Sequence, residues 1–125
     1  MNNPVVWFEI PVIDLARASR FYRTVFGFTF EELQQGSSKR ARLPVHPDGR
    51  GASGSLTKGE TYTPSHAGTL VYIHVDDVDL TLALVTYAGG KTVQAKLNFG
   101  PSAVIAQFED TEGNKVGLYS EDVSV

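Results

Sequence analysis

The feature that most constrains this chain is an internal echo. Residues 5–28 read VVWFEIPVIDLARASRFYRTVFGF, and residues 70–93 read LVYIHVDDVDLTLALVTYAGGKTV. Shifted by 63 positions, Val12 falls on Val75, Asp14 on Asp77, Leu15 on Val78, Ala18 on Thr81, Tyr22 on Val85 and Gly27 on Gly90. Few residues are identical, but the apolar, capping and glycine positions coincide. A fixed-period repeat marks a supersecondary unit used more than once. The chain is therefore expected to pack two copies of one unit against each other.

Each copy has the same local grammar. In the first, residues 5–12 alternate, with Val6, Phe8, Ile10 and Val12 on a packing face and Val5, Trp7, Glu9 and Pro11 on the other. Asp14 is placed to cap a helix, its carboxylate taking free amides of the first turn. Leu15, Ala18, Phe21, Tyr22 and Val25 then recur at helical spacing, and Gly27 is the expected left-handed terminator. Strands are expected over 28–33, 39–44 and 52–58, with a polar turn at 34–38 and a second turn at His46-Pro47-Asp48-Gly49. Residues 59–68, GETYTPSHAG, read as a linker.

The second copy repeats the plan. Residues 70–75 place Val71, Ile73 and Val75 on the packing face and Leu70, Tyr72 and His74 on the other. Asp77 caps a helix whose stripe is Val78, Thr81, Leu84, Val85 and Ala88, with Gly90 as its left-handed end. Strands over 91–96, 103–109 and 115–120 complete the unit, separated by a loop at 97–102 and a tight turn at 110–114. The expected fold is α+β: two βαβββ modules, about 4–58 and 69–121, in a single domain spanning 1–125. Neither module covers its own sheet edges. Both should join into one curved sheet with the helices outside and a concave cavity within.

Composition bounds the chemistry. With 42% hydrophobic and 20% charged residues, the chain reads as an ordinary soluble globular protein. A net charge of −3 leaves no basic footprint for nucleic acid. The absence of cysteine removes disulfides, thiol nucleophiles, zinc fingers and iron–sulfur clusters. The start, MNNPVVWF, lacks the pattern of a secretory signal, and no apolar run approaches the ~20 residues of a membrane helix. A cytoplasmic protein without a membrane partner is expected. No P-loop, dinucleotide fingerprint or serine elbow is present.

Three segments, FEIPVIDLARASRFYRTVFGF, VYIHVDDVDLTLALVTYAGGKTV and FEDTEGNKVGLYS, occur in this order along nearly the whole chain. Together they resemble the small glyoxalase-like proteins related to lactoylglutathione lyase. These belong to the vicinal oxygen chelate superfamily of glyoxalases, bleomycin resistance proteins and dioxygenases. The resemblance implies the doubled βαβββ fold and a homodimer. It also implies where a divalent metal would sit: one ligand near the start of the first strand of each module, another near the end of the last. Counted from the Pro-Val and Val-Asp anchors, those positions are Trp7, Leu70, about Gly54 and Gly117, and none carries a metal-binding side chain. No cofactor is expected at them, and a divalent metal held by shifted ligands stays open.

Glu9 and His74 share the parity of those positions and supply a carboxylate and an imidazole, suited to proton transfer or to part of a metal site. The plainer alternative makes them hydrogen-bonded wall residues, Glu9 pairing with His74 or Lys115. Trp7 offers either a flat ligand wall or filling for a shrunken cavity, while Leu70, Tyr72, Gly117 and Tyr119 complete the expected lining. Gln107 and Glu109 either reach the cavity mouth or, on the plainer reading, are solvated edge residues, and His46 and His66 read as exposed loop histidines. Asp76, Asp77 and Asp79 fit a helix start, and Glu112-Gly113-Asn114 a turn. The expected function is binding of a small organic ligand, with catalysis by Glu9 or His74 open. The alternatives are a metal-dependent lyase, isomerase or dioxygenase with shifted ligands, and an interaction-only module with a filled cavity.

Overall fold

The computed structural model describes residues 3–121. The first module runs β1 (Trp7–Pro11), α1 (Leu15–Phe26), β2 (Glu31–Gln35), β3 (Ser38–Arg42) and β4 (Ser53–Lys58). The second runs β5 (Tyr72–His74), α2 (Val78–Tyr87), β6 (Lys91–Asn98), β7 (Val104–Glu109) and β8 (Lys115–Ser120). The α+β arrangement of two βαβββ modules is present. Each module builds one four-stranded sheet, ordered β1-β4-β3-β2 and β5-β8-β7-β6. The first and last strands of each module pair in parallel, and the remaining pairs are antiparallel. Neither sheet closes on itself.

The helices form for the reasons their sequences suggest. Asp14 accepts the Arg17 amide at 3.0 Å, and Asp77 accepts that of Leu80 at 3.0 Å. Helix α1 buries Leu15, Ala18, Phe21, Tyr22 and Val25, as its spacing predicts, and ends on Gly27 at φ 74°. Helix α2 buries Val78, Thr81, Leu82 and Val85, whereas Leu84 and Ala88 are only partly buried. It has ten residues against the twelve of α1. Its left-handed residue accordingly comes early, at Gly89 with φ 106°, and not at Gly90 as the echo implied. Gly90 is glycine for another reason: a Cβ there would lie 2.4 Å from the Glu109 carbonyl oxygen.

One core serves both modules. Ile10, Val12 and Leu56 from the first meet Val85, Phe108 and Leu118 from the second, and all are buried. Phe21 of α1 bridges them, its ring centroid 5.9 Å from that of Phe108. Polar groups reinforce the joint. The turn after β7, read from sequence as a turn alone, is also an interlock. Its Glu112 accepts the Ile13 and Asp14 amides at 2.9 and 2.8 Å and the Arg17 guanidinium at 2.8 Å. Asp110 accepts the Tyr22 hydroxyl at 2.8 Å, and Asn114 donates to the Pro11 carbonyl at 2.7 Å. The junction of β1 and α1 is thereby clamped to module two.

Candidate functional site

Register decides which side chains share a face. In the parallel β1–β4 pair, Trp7, Glu9 and Pro11 lie beside Ser53, Ser55 and Thr57, while Ile10 lies beside the core residue Leu56. In module two, Tyr72 and His74 lie beside Gly117 and Tyr119, and Ile73 beside Leu118. The alternating set that faces away from the core is therefore the one the sequence marked. One position moves. Gly54 lies beside Phe8, which packs on the core, so it belongs to the other face. Ser55, one residue on, takes the place reckoned as about Gly54, because a single-residue slip in a strand reverses the side-chain direction.

Module one fills its concave face with a polar cluster. The Glu9 carboxylate accepts from the Arg40 guanidinium at 2.9 Å, the Thr57 hydroxyl at 3.0 Å and the Tyr62 hydroxyl at 3.0 Å. Arg40 also donates to the Tyr62 oxygen at 3.1 Å, and Ser55 bonds Thr57 at 3.1 Å. Burial pushes the Glu9 pKa up, but the hydrogen bonds from Arg40, Tyr62 and Thr57 outweigh it and hold the group below its ordinary value. Glu9 is thus a fixed anion surrounded by donors. Its partners are neither His74 nor Lys115, the ones considered from sequence. Tyr62 comes from the linker, and only its polar composition was legible there. Arg40 is the cross-strand neighbour of Thr57, a pairing that needs the β3–β4 register to be seen.

The remaining concave residues border a separate space. A cleft of about 510 Å³ opens between the start of β1, the β3–β4 loop and β5. Trp7, Phe8, Phe28 and Tyr72 supply aromatic wall, and His46, Arg50 and His74 supply polar groups. Trp7 and Tyr72 are each 41% exposed. Three of the expected residues, Trp7, Tyr72 and His74, thus come together. The others do not join them as lining. Glu9 borders a smaller cavity of about 100 Å³ beneath the linker, together with Pro11, Ser65 and Asn114. Leu70 is partly buried beyond the lining of the cleft. Tyr119 meets Phe99 edge to face at 6.3 Å. Gly117 is roofed by Tyr72, whose hydroxyl accepts from Gln107 at 3.2 Å.

The β3–β4 loop is what sequence reasoning missed. Its His-Pro-Asp-Gly run does turn, with the Gly49 amide on the His46 carbonyl at 2.9 Å. Yet it also carries His46 and Arg50 to the cleft. His66 instead sits on Glu109 at 2.7 Å, away from the cleft.

The implied metal can be tested against these residues. Trp7, Leu70, Ser55 and Gly117 provide no charged or imidazole ligand. A side chain at position 117 would start 2.4 Å from the Tyr72 ring, so the ring occupies the room a carboxylate ligand would need. No group of three or more His, Cys, Asp or Glu among the described residues is arranged to hold a metal ion. The residues at these positions do not fit a divalent cation.

Comparison with known proteins agrees with this architecture. The family model described as bleomycin resistance protein-like N-terminal matches residues 5–38. A glyoxylase-like domain-containing protein of Didymella fabae is 32% identical over 122 residues, covering 91% of each chain. Among solved structures, TnmS3, an antibiotic binding protein from a Streptomyces species, superposes with a TM-score of 0.72 at 25% identity, over 98% of this chain and 99% of that one. A glyoxalase I variant from Zea mays superposes with a TM-score of 0.70 at 22% identity, over 94% of this chain but only 46% of the maize one. With the fold, the register and a relative matched along nearly its full length, the chain belongs to the glyoxalase/bleomycin resistance protein/dioxygenase superfamily.

Proposed function

We propose that this protein binds a small organic ligand in the cleft bordered by Trp7, Tyr72 and His74, without a divalent metal at the family's usual positions. The observation that carries the reading is the exchange of ligands for aromatic surface. The Tyr72 ring lies over Gly117, and Trp7 stands in the first-strand position of module one. A cleft of about 510 Å³ with aromatic walls and a few polar groups has the size and character of a small-molecule site. The likeness to an antibiotic binding protein supports binding over turnover. Glu9 is an unpromising base, because its oxygens are already engaged by three donors. His74, whose side chain is 59% exposed, is the better-placed polar group toward a ligand.

An interaction-only module with a filled cavity fits less well, since the cleft is open. A homodimer belongs to the proposal. Leu97 and Phe99, 47% and 57% exposed, are apolar surface that a second copy would cover. Light scattering on the purified chain would test it, twice the 13.6 kDa chain mass being expected.

The test of binding uses Trp7, the only tryptophan in the chain. Its emission is expected to change saturably as planar aromatic compounds are titrated into chelator-treated protein, and Tyr72→Ala should weaken that binding about tenfold or more. Emission that stays flat across a broad panel would contradict the proposal.

A further inference from the structure

Resting on the binding reading above, we infer that the cleft selects flat aromatic compounds that carry a carboxylate or another acidic group, and that Arg50 and His74 recognise the acid. The aromatic body is accounted for by Trp7, Phe28 and Tyr72 on the walls. The acid is accounted for by what the chain itself does at the mouth. The Glu121 carboxylate lies 3.2 Å from Nη2 of Arg50 and 3.7 Å from Nε2 of His74. A carboxylate is thus already paired with Arg50 and placed beside His74 at the border of the cleft.

This intramolecular contact is weakly held. The Arg50 side chain is 86% exposed, that of His74 59% and that of Glu121 47%. An exposed ion pair of this kind contributes little to stability and exchanges partners readily. A ligand carboxylate would meet a guanidinium whose planar fork binds such groups by paired hydrogen bonds. His46 also borders the cleft. Among the described residues, no acidic side chain borders the cleft directly. Glu121 is therefore a competitor for the site, standing where the ligand's acid would go.

The test compares 6-nitro-2-naphthoate with its neutral analogue 6-nitro-2-naphthalenemethanol, both of which quench tryptophan without emitting. Trp7 emission reports occupancy. The acid is expected to bind about tenfold more tightly than the alcohol. Arg50→Gln combined with His74→Gln should abolish that preference, bringing the acid and the alcohol to about the same Kd. Glu121→Gln should tighten the acid and leave the alcohol unchanged. Equal affinity for acid and alcohol would overturn the acid selectivity while leaving ligand binding in place. A preference that survives the double substitution would overturn the assignment to Arg50 and His74. If neither compound quenches Trp7, this inference fails, and the binding reading fails with it only where the broad panel also leaves the emission flat.

Discussion

At the residue scale, Glu112 ties the turn after β7 to the β1–α1 junction of module one. Its side chain is fully buried and receives two backbone amides and a guanidinium from the β1–α1 junction. Burial pushes its pKa up, but the Arg17 guanidinium, the Asp14 and Ile13 amides and the Thr111 hydroxyl outweigh this and bring it from 4.5 down to about 2. A depressed carboxylate stabilises the fold in full above its unfolded value, and the contribution is lost as pH falls through the folded one. Stability attributable to Glu112 should therefore decline between pH 4.5 and about 2. Glu112→Gln should flatten that part of a denaturant-derived stability profile, whereas an unchanged slope would place the acid sensitivity elsewhere. Glu112→Ala, which strands both amides, should cost about 3 kcal/mol or more. The two helix-end glycines give a second contrast. Gly27→Ala, strained only by its positive φ, should cost about 1 kcal/mol. Gly90→Ala, which drives a methyl against a backbone carbonyl and Val85, should cost roughly 2–3 kcal/mol. Melting curves showing equal losses would contradict these different reasons.

At the element scale, the linker is more than a connection. Tyr62 reaches from it to Glu9, and Ser65 receives a bond from the Lys115 amide at 3.3 Å. The stretch thus straps the concave face of module one to the start of β8 in module two. Tyr62→Phe removes one donor and one acceptor and should cost about 1 kcal/mol, and it should also speed proteolysis within 59–68. Protection equal to the wild-type protein's would argue that the strap is held by other contacts. This element also marks where sequence reading stops. Alternation in β1 and β5 was enough to place Trp7, Glu9, Tyr72 and His74 on one face, because strand parity is a local property. It could not say that Glu9 would be enclosed by Arg40 and Tyr62, since those meet it only through register and loop path. The Gly54 miscount has the same origin: nothing local fixes how β4 slides against β1. The early end of α2 is a milder case, because Gly89 and Gly90 are adjacent and either could take the left-handed turn.

At the scale of the whole molecule, the repeated unit made the architecture readable and left the chemistry to a few positions. Two βαβββ modules, their helices and the shared core all follow from the echo. The cleft does not, because one of its walls is the β3–β4 loop, a segment outside the repeated stretch. Fold alone does not decide between a metal enzyme and a binding protein, since this architecture hosts both. The concave residues carry that decision: Trp7 stands at one expected ligand position and the Tyr72 ring covers another, Gly117. The most direct measurement is therefore elemental analysis of the purified, untagged chain. It should be paired with melting temperatures before and after adding Ni(II), Mn(II), Zn(II) and Fe(II). The account predicts substoichiometric metal and no shift in melting temperature with any ion. About one metal per chain together with a raised melting temperature, as ligand linkage requires, would contradict it.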